Sequence, residues 1–171
     1  MSARSLIVPA HEGVPFPTVP LDLDKLLRVA KNLEGVKYGL GWKASPIDVN
    51  SGVFMGRSPL GLKGRKIDCS GFVRYLMNKA IDGFLVPDGS VNQHDWVRAS
   101  GFKPSADMDA MDGALRIAFI PPRPIGHVVL ILNGWTFESH GGLGVDRRKW
   151  GSCKWMSRAT GYVLTAPIKG D

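Results

Sequence analysis

Apolar residues recur at helical spacing in the first half of the chain and change to strand spacing in the second. Leu23, Leu26, Leu27, Ala30 and Leu33 form one stripe, with Asp22 or Asp24 placed to cap it and Gly35 to stop it. Phe72, Val73, Leu76, Met77 and Ala80 form a second, which predicts a helix from about Cys69 to Ala80 with Asp68 as its N-cap. Ser90 and Gln93 have the spacing of a capping box, opening a short helix that runs to about Ala99 and ends at Gly101. After that, Leu115–Ile120, His127–Leu132, Trp135–Ser139 and Gly161–Thr165 read as short strands bounded by Pro and Gly, and Val145 begins another. Helices first and strands second predict an α+β fold with a mainly antiparallel sheet.

Composition narrows the class. The chain has 171 residues, 44% hydrophobic and 22% charged, which excludes collagen-like, low-complexity and wholly disordered readings and suits one domain. No apolar stretch approaches the ~20 residues of a membrane span, so none is expected. Residues 1–20 carry Pro9, Pro15, Pro17 and Pro20 and read as an extended arm ahead of a single domain over 21–171. Arg4 is followed only by Leu6, Ile7 and Val8 before Pro9, short of the roughly 7–15 apolar residues of a secretory signal. The expectation is therefore a protein made in the cytoplasm without a signal peptide. Residues 39–66 are glycine-rich, with Pro46 and Pro59, and predict a long irregular loop of the kind that shapes a binding site.

Charge adds a partner class. Twenty-two Lys and Arg against 15 Asp and Glu leave +7, a balance that favours polyanions: nucleic acid, anionic lipid or an acidic envelope polymer. No zinc-finger or ribonucleoprotein signature accompanies the charge, so nucleic acid is not the expected partner. Two cysteines do not make a disulfide scaffold. Cys153, between Lys149 and Lys154, reads as a surface-loop thiol, although a bond to Cys69 would offer a redox switch.

The segment Lys66-Ile67-Asp68-Cys69-Ser70-Gly71-Phe72-Val73 puts a cysteine in the first turn of a helix, where free amides and the helix dipole favour a thiolate. A nucleophile there needs a base, and the chain has four histidines. His11, in the arm, and His94, beside Asp95, read as solvated surface. His127 opens the core strand Gly126-His127-Val128-Val129-Leu130-Ile131-Leu132 and is the candidate base. On the next strand, alternation puts Thr136, Glu138 and His140 on one face, where a polar group can orient an imidazole. Zinc held by Cys69, His127 and His140 is a weaker reading, because the close ligand pairs typical of zinc are missing; no metal or cofactor is expected.

Taken in order, Asp68-Cys69-Ser70-Gly71-Phe72-Val73 and Gly126-His127-Val128-Val129-Leu130-Ile131 resemble the NlpC-type cell-wall cysteine peptidases, over about residues 25–165. Val36-Lys37-Tyr38-Gly39 matches the family's upstream Tyr-x-x-Gly-like segment. The segment Leu115–Ile120 departs from it, standing where the family often has Gly-Asp-Leu. The resemblance implies a papain-like catalytic domain that hydrolyses amide bonds in peptidoglycan stem peptides through a Cys69 thioester, with His127 as base and then acid. It implies His140 as the third residue, with Glu138 as the rival, Tyr38 and the Cys69 amide meeting the oxyanion, and Asp68 capping the helix. It further implies action on the wall or in the periplasm after lysis-type release or injected secretion, as a phage lysin or antibacterial effector. A cognate immunity protein, or a secretion or phage component, would then be a partner, and the enzyme a monomer. Trp42, Trp96 and Trp135 read as core residues before groove residues. The rival functions are a papain-like acyltransferase or thioesterase acting on lipid or acyl substrates, and a non-catalytic wall-binding or nucleic-acid-binding domain.

Overall fold

The computed structural model describes residues 3–6, 19–41, 66–81, 86–121 and 126–167. Their elements run β1 (Ala3–Leu6), β2 (Val19–Asp22), α1 (Leu23–Asn32), β3 (Lys37–Tyr38), β4 (Lys66–Ile67), α2 (Cys69–Ala80), α3 (Ser90–Ala99), β5 (Pro104–Ser105), β6 (Leu115–Ile120), β7 (His127–Leu132), β8 (Trp135–His140), β9 (Gly144–Asp146), a 3-10 turn (Lys154–Arg158) and β10 (Thr160–Val163). Six of these strands form one antiparallel sheet in the order β5-β10-β6-β7-β8-β9, so the architecture is mixed helix and sheet with the helices leading.

Each helix starts for a different local reason. The Asp22 carboxylate accepts from the Lys25 amide at 2.9 Å and starts α1, whose Leu23, Leu26 and Ala30 are buried. Asp68 does the same for α2, accepting from the Gly71 amide at 2.7 Å. The third helix starts otherwise than the sequence suggests. Gly89, with φ of +84°, precedes it and no side chain caps it. Gln93 is buried instead, and its Nε2 donates to the Ser70 carbonyl at 2.9 Å and the Pro87 carbonyl at 3.0 Å. A capping box needs that side chain at its own N-terminus; here it braces α3 against the first turn of α2.

The core lies between α2 and one face of the sheet, where Phe72, Val73, Leu76 and Met77 meet the cluster of Leu115, Ile117, Phe119, Val128 and Leu130. The opposite face carries Met108, Ala118, Val129 and Ile131 under Trp150 and Trp155. Covered on both sides, β7 reads as an unbroken apolar run. His94 is not a solvated residue: it stacks on Phe119 with ring centroids 4.6 Å apart, and its Nε2 lies 3.1 Å from the Tyr162 hydroxyl.

Within the N-terminal segment, β1 pairs antiparallel with β2 from Ala3↔Asp22 to Leu6↔Val19. The rest of the arm, with His11, and nearly all of the long loop, with Trp42, lie outside the described residues. What is described of that loop's ends matters for the site. Strands β3 and β4 pair in parallel, Tyr38 opposite Ile67, and Val145 of β9 exchanges backbone hydrogen bonds with Gly35 and Val36 at 3.0 and 2.7 Å. Ser139 Oγ donates to the Ile67 carbonyl at 2.7 Å. The residues just before Cys69 are thereby fastened to the far edge of the sheet.

Candidate active site

Cys69 is a free, buried thiol at the first turn of α2. Asp68 beside it is buried and shares its carboxylate among the Gly71 amide, the Ser70 hydroxyl at 3.1 Å and the Gly41 amide at 3.1 Å. A side chain so occupied caps the helix and holds the start of the long loop.

His127 is the first residue of β7, and its ring interacts with Cys69 at the start of α2. Its Nε2 lies 2.8 Å from Glu138 Oε2. That leaves Nδ1 for the thiol. Burial works against a charged ring, yet hydrogen bonds and charge attraction from Cys69 and Glu138 outweigh it and lift His127 to about 9. The imidazole is thus held ready in its protonated form beside the sulfur.

Glu138 is fully buried and every lone pair on its near side is used. Oε1 accepts from Thr136 Oγ1 at 2.7 Å and from Arg148 Nε at 2.8 Å; Oε2 accepts from His127 and from Arg148 Nη2 at 2.6 Å. Four donors converge on two oxygens. Burial alone would raise this carboxyl, but the bonds from His127, Arg148 and Thr136 hold it down at about 2. Arg148 also donates through Nη1 to Cys153 Sγ at 3.2 Å, so Cys153 is part of the support around the carboxylate and not a loose surface thiol.

Of the two β8 candidates for the orienting role, the structure brings Glu138 and not His140 to the His127 ring. His127, Glu138 and His140 do share one face, as alternation requires, but the imidazole bonds to Glu138. Extending the β7–β8 register places His140 opposite His127 and Glu138 one diagonal away, within reach of a long side chain. The His140 ring is turned elsewhere: Nδ1 accepts from the Gly142 amide at 3.2 Å, and Nε2 stands 3.7 Å from Asp146. It lines the cleft, and among the described residues its polar partners do not include His127.

Tyr38 comes to the same place by way of β3. Burial first, then the nearby charges of Cys69 and Asp68, hold its hydroxyl above the ordinary phenol value, so it stays a proton donor. Two openings flank the pair. A cleft of about 440 Å³ is lined by Tyr38, His127, His140, Arg148, Trp155 and Arg158 among others. A smaller one of about 240 Å³ is lined by Leu40, Cys69, Ser90 and Val91, and Gly126 borders both.

No family model matches the chain, and no curated protein sequence matches it.

Two residues of the site escaped the sequence. Arg148 lies in the basic run Arg147-Arg148-Lys149, whose neighbours face outward; Arg147 covers the Phe137 ring at 4.6 Å. Only the β8–β9 pairing shows which of the three turns in. Trp155 meets the His127 ring edge-on, with centroids 5.3 Å apart, and its place after a glycine-bounded turn gave no strand or helix period to follow. Trp96 packs against the core and pairs with Phe102, whereas Trp135 is exposed. Among the described residues no three His, Cys, Asp or Glu side chains are grouped as a metal site needs.

Proposed function

We propose that the protein is a papain-like cysteine peptidase or amidase of the NlpC type, cutting amide bonds in peptidoglycan stem peptides. The observation that supports this reading most is the array of Cys69, His127 and a fully buried Glu138, set between two openings to solvent. In this reading the Cys69 thiolate attacks the amide carbonyl. His127 passes its proton to the departing amine, leaving a thioester and a neutral imidazole. That imidazole then takes a proton from water, whose oxygen attacks the thioester; the C–S bond breaks, releasing the carboxylic acid and restoring the Cys69 thiolate beside the protonated imidazole. Glu138 fixes the ring so that Nδ1 faces the reacting atoms. Tyr38 and the Cys69 amide are the donors nearest the developing oxyanion, and losing one such donor costs roughly 3–4 kcal/mol of barrier.

The net charge of +7 suits an acidic wall polymer, and release by lysis or injection would bring the enzyme to it. An acyltransferase or thioesterase reading draws on exposed Leu40 and Val91 beside the thiol; a pocket of about 240 Å³ there takes a short acyl group. Digestion of purified peptidoglycan, with products identified by mass spectrometry, decides. Soluble stem-peptide fragments should appear with wild type and vanish with Cys69→Ala and with His127→Ala. Turnover of acyl esters with intact peptidoglycan would overturn the peptidase in favour of the acyl enzyme.

A further inference from the structure

We infer that Arg158 forms a carboxylate subsite on the leaving-group side of the cleft, selecting substrates whose departing residue carries a free carboxylate. The inference rests on the peptidase reading for its direction and on the charge layout for its chemistry.

Direction follows from the reaction. The sulfur bonds to the carbonyl carbon and the imidazole hands its proton to the departing nitrogen, so the acyl part lies over the thiol and the amine part over the imidazole. Cys69 lines the smaller opening and His127 the larger. The larger cleft is therefore the leaving-group side.

Its charge is unbalanced. The guanidinium of Arg148 is committed to Glu138 and Cys153. Arg158, at the end of the 3-10 turn, lines the same cleft, is exposed, and among the described residues has no ion-pair or hydrogen-bond partner. No carboxylate lines the cleft among those residues. Trp155, three positions earlier and edge-on to His127, lines the same cleft and gives it an apolar surface. A residue bonded through its amine near His127 and bearing a carboxylate would pass over the indole and meet a planar five-donor fork, the geometry that guanidinium offers a carboxylate.

The test compares L-Ala-γ-D-Glu-L-Lys with its C-terminal carboxylate free and the same tripeptide as the C-terminal amide. Wild type should show kcat/KM about tenfold higher for the acid. The ratio should fall to near one in Arg158→Gln, recover in part in Arg158→Lys, and shrink as salt rises. Binding of both peptides to Cys69→Ala, by titration calorimetry, reads the subsite without turnover: the acid should bind about tenfold tighter, and the added Arg158→Gln should erase the difference. Equal binding of acid and amide, or a preference that survives Arg158→Gln, overturns the subsite. If wild type cleaves neither peptide while the calorimetric preference holds, the subsite stands and the peptidase reading fails.

Discussion

Replacing Glu138 by glutamine changes one atom and should disable the site. The carboxylate takes four hydrogen bonds on two oxygens, from Thr136, His127 and two nitrogens of Arg148. An amide has one oxygen, so in either orientation its NH2 group points at two donors. If the oxygen stays with Thr136 and Arg148 Nε, His127 loses its acceptor. If it turns to His127, the NH2 faces Thr136 and the guanidinium. Removing one partner of a buried ion pair costs roughly 3–5 kcal/mol. Arg148 keeps 24% of its side chain exposed and can turn partly to water, which favours the lower figure. About 3 kcal/mol corresponds to a fall in Tm of roughly 6–12 °C for a chain of this length. The electrostatic effect is separable from stability. An opposite charge at hydrogen-bonding distance moves a pKa by roughly 1–3. The His127 midpoint should therefore drop from about 9 to between roughly 6 and 8. The imidazole 13C resonances, followed by NMR from pH 5 to 10, read this directly, and kcat should fall about 100-fold or more. A His127 midpoint still near 9 in a folded Glu138→Gln protein would refute the idea that this carboxylate sets the base.

Three further outcomes follow from the same structure. His140→Ala should lower kcat less than tenfold on the substrate that Glu138→Gln barely turns over, because its ring bonds to Gly142 and not to His127; equal losses would restore His140 as orienter. Gly144→Ala should cost roughly 3 kcal/mol or more by thermal unfolding, since the residue sits at φ of +90° and an added Cβ would overlap the Val36 carbonyl oxygen. Stability should also depend on pH at both ends. His127 rises from 6.5 to about 9 on folding, so its contribution is complete below pH 6.5 and is lost as pH climbs through 9. Glu138 falls from 4.5 to about 2, so its contribution is complete above pH 4.5 and is lost as pH drops through 2. Tm should thus plateau between those ordinary values, and His127→Ala should flatten the alkaline slope.

The parts of this molecule that could be read from the chain are those a local period or a local cap dictates. Asp68 capping a helix with a buried apolar face needs only neighbours in sequence, and the same holds for β7, whose burial on both faces shows as an unbroken apolar run. Alternation along β8 likewise put Thr136, Glu138 and His140 on one face, and the family resemblance narrowed the third residue to Glu138 or His140, but neither could go further, because both lie on the same face. What separates them is a diagonal across the β7–β8 pair and a guanidinium delivered from beyond β9, contacts between residues far apart along the chain. Gln93 failed for the same reason: its spacing from Ser90 is that of a cap, but a buried amide in reach of two foreign carbonyls gains more by bonding them than by closing its own helix. Buried polar groups follow the nearest partner that burial leaves them, and sequence spacing does not encode which partner that is. The site is made almost wholly of such groups. Cys69 and His127, the proposed nucleophile and base, stood out because a helix and a strand begin on them; the electrostatics around them, the pairing of Glu138 with Arg148 and the spare charge of Arg158, exist only once the sheet is closed.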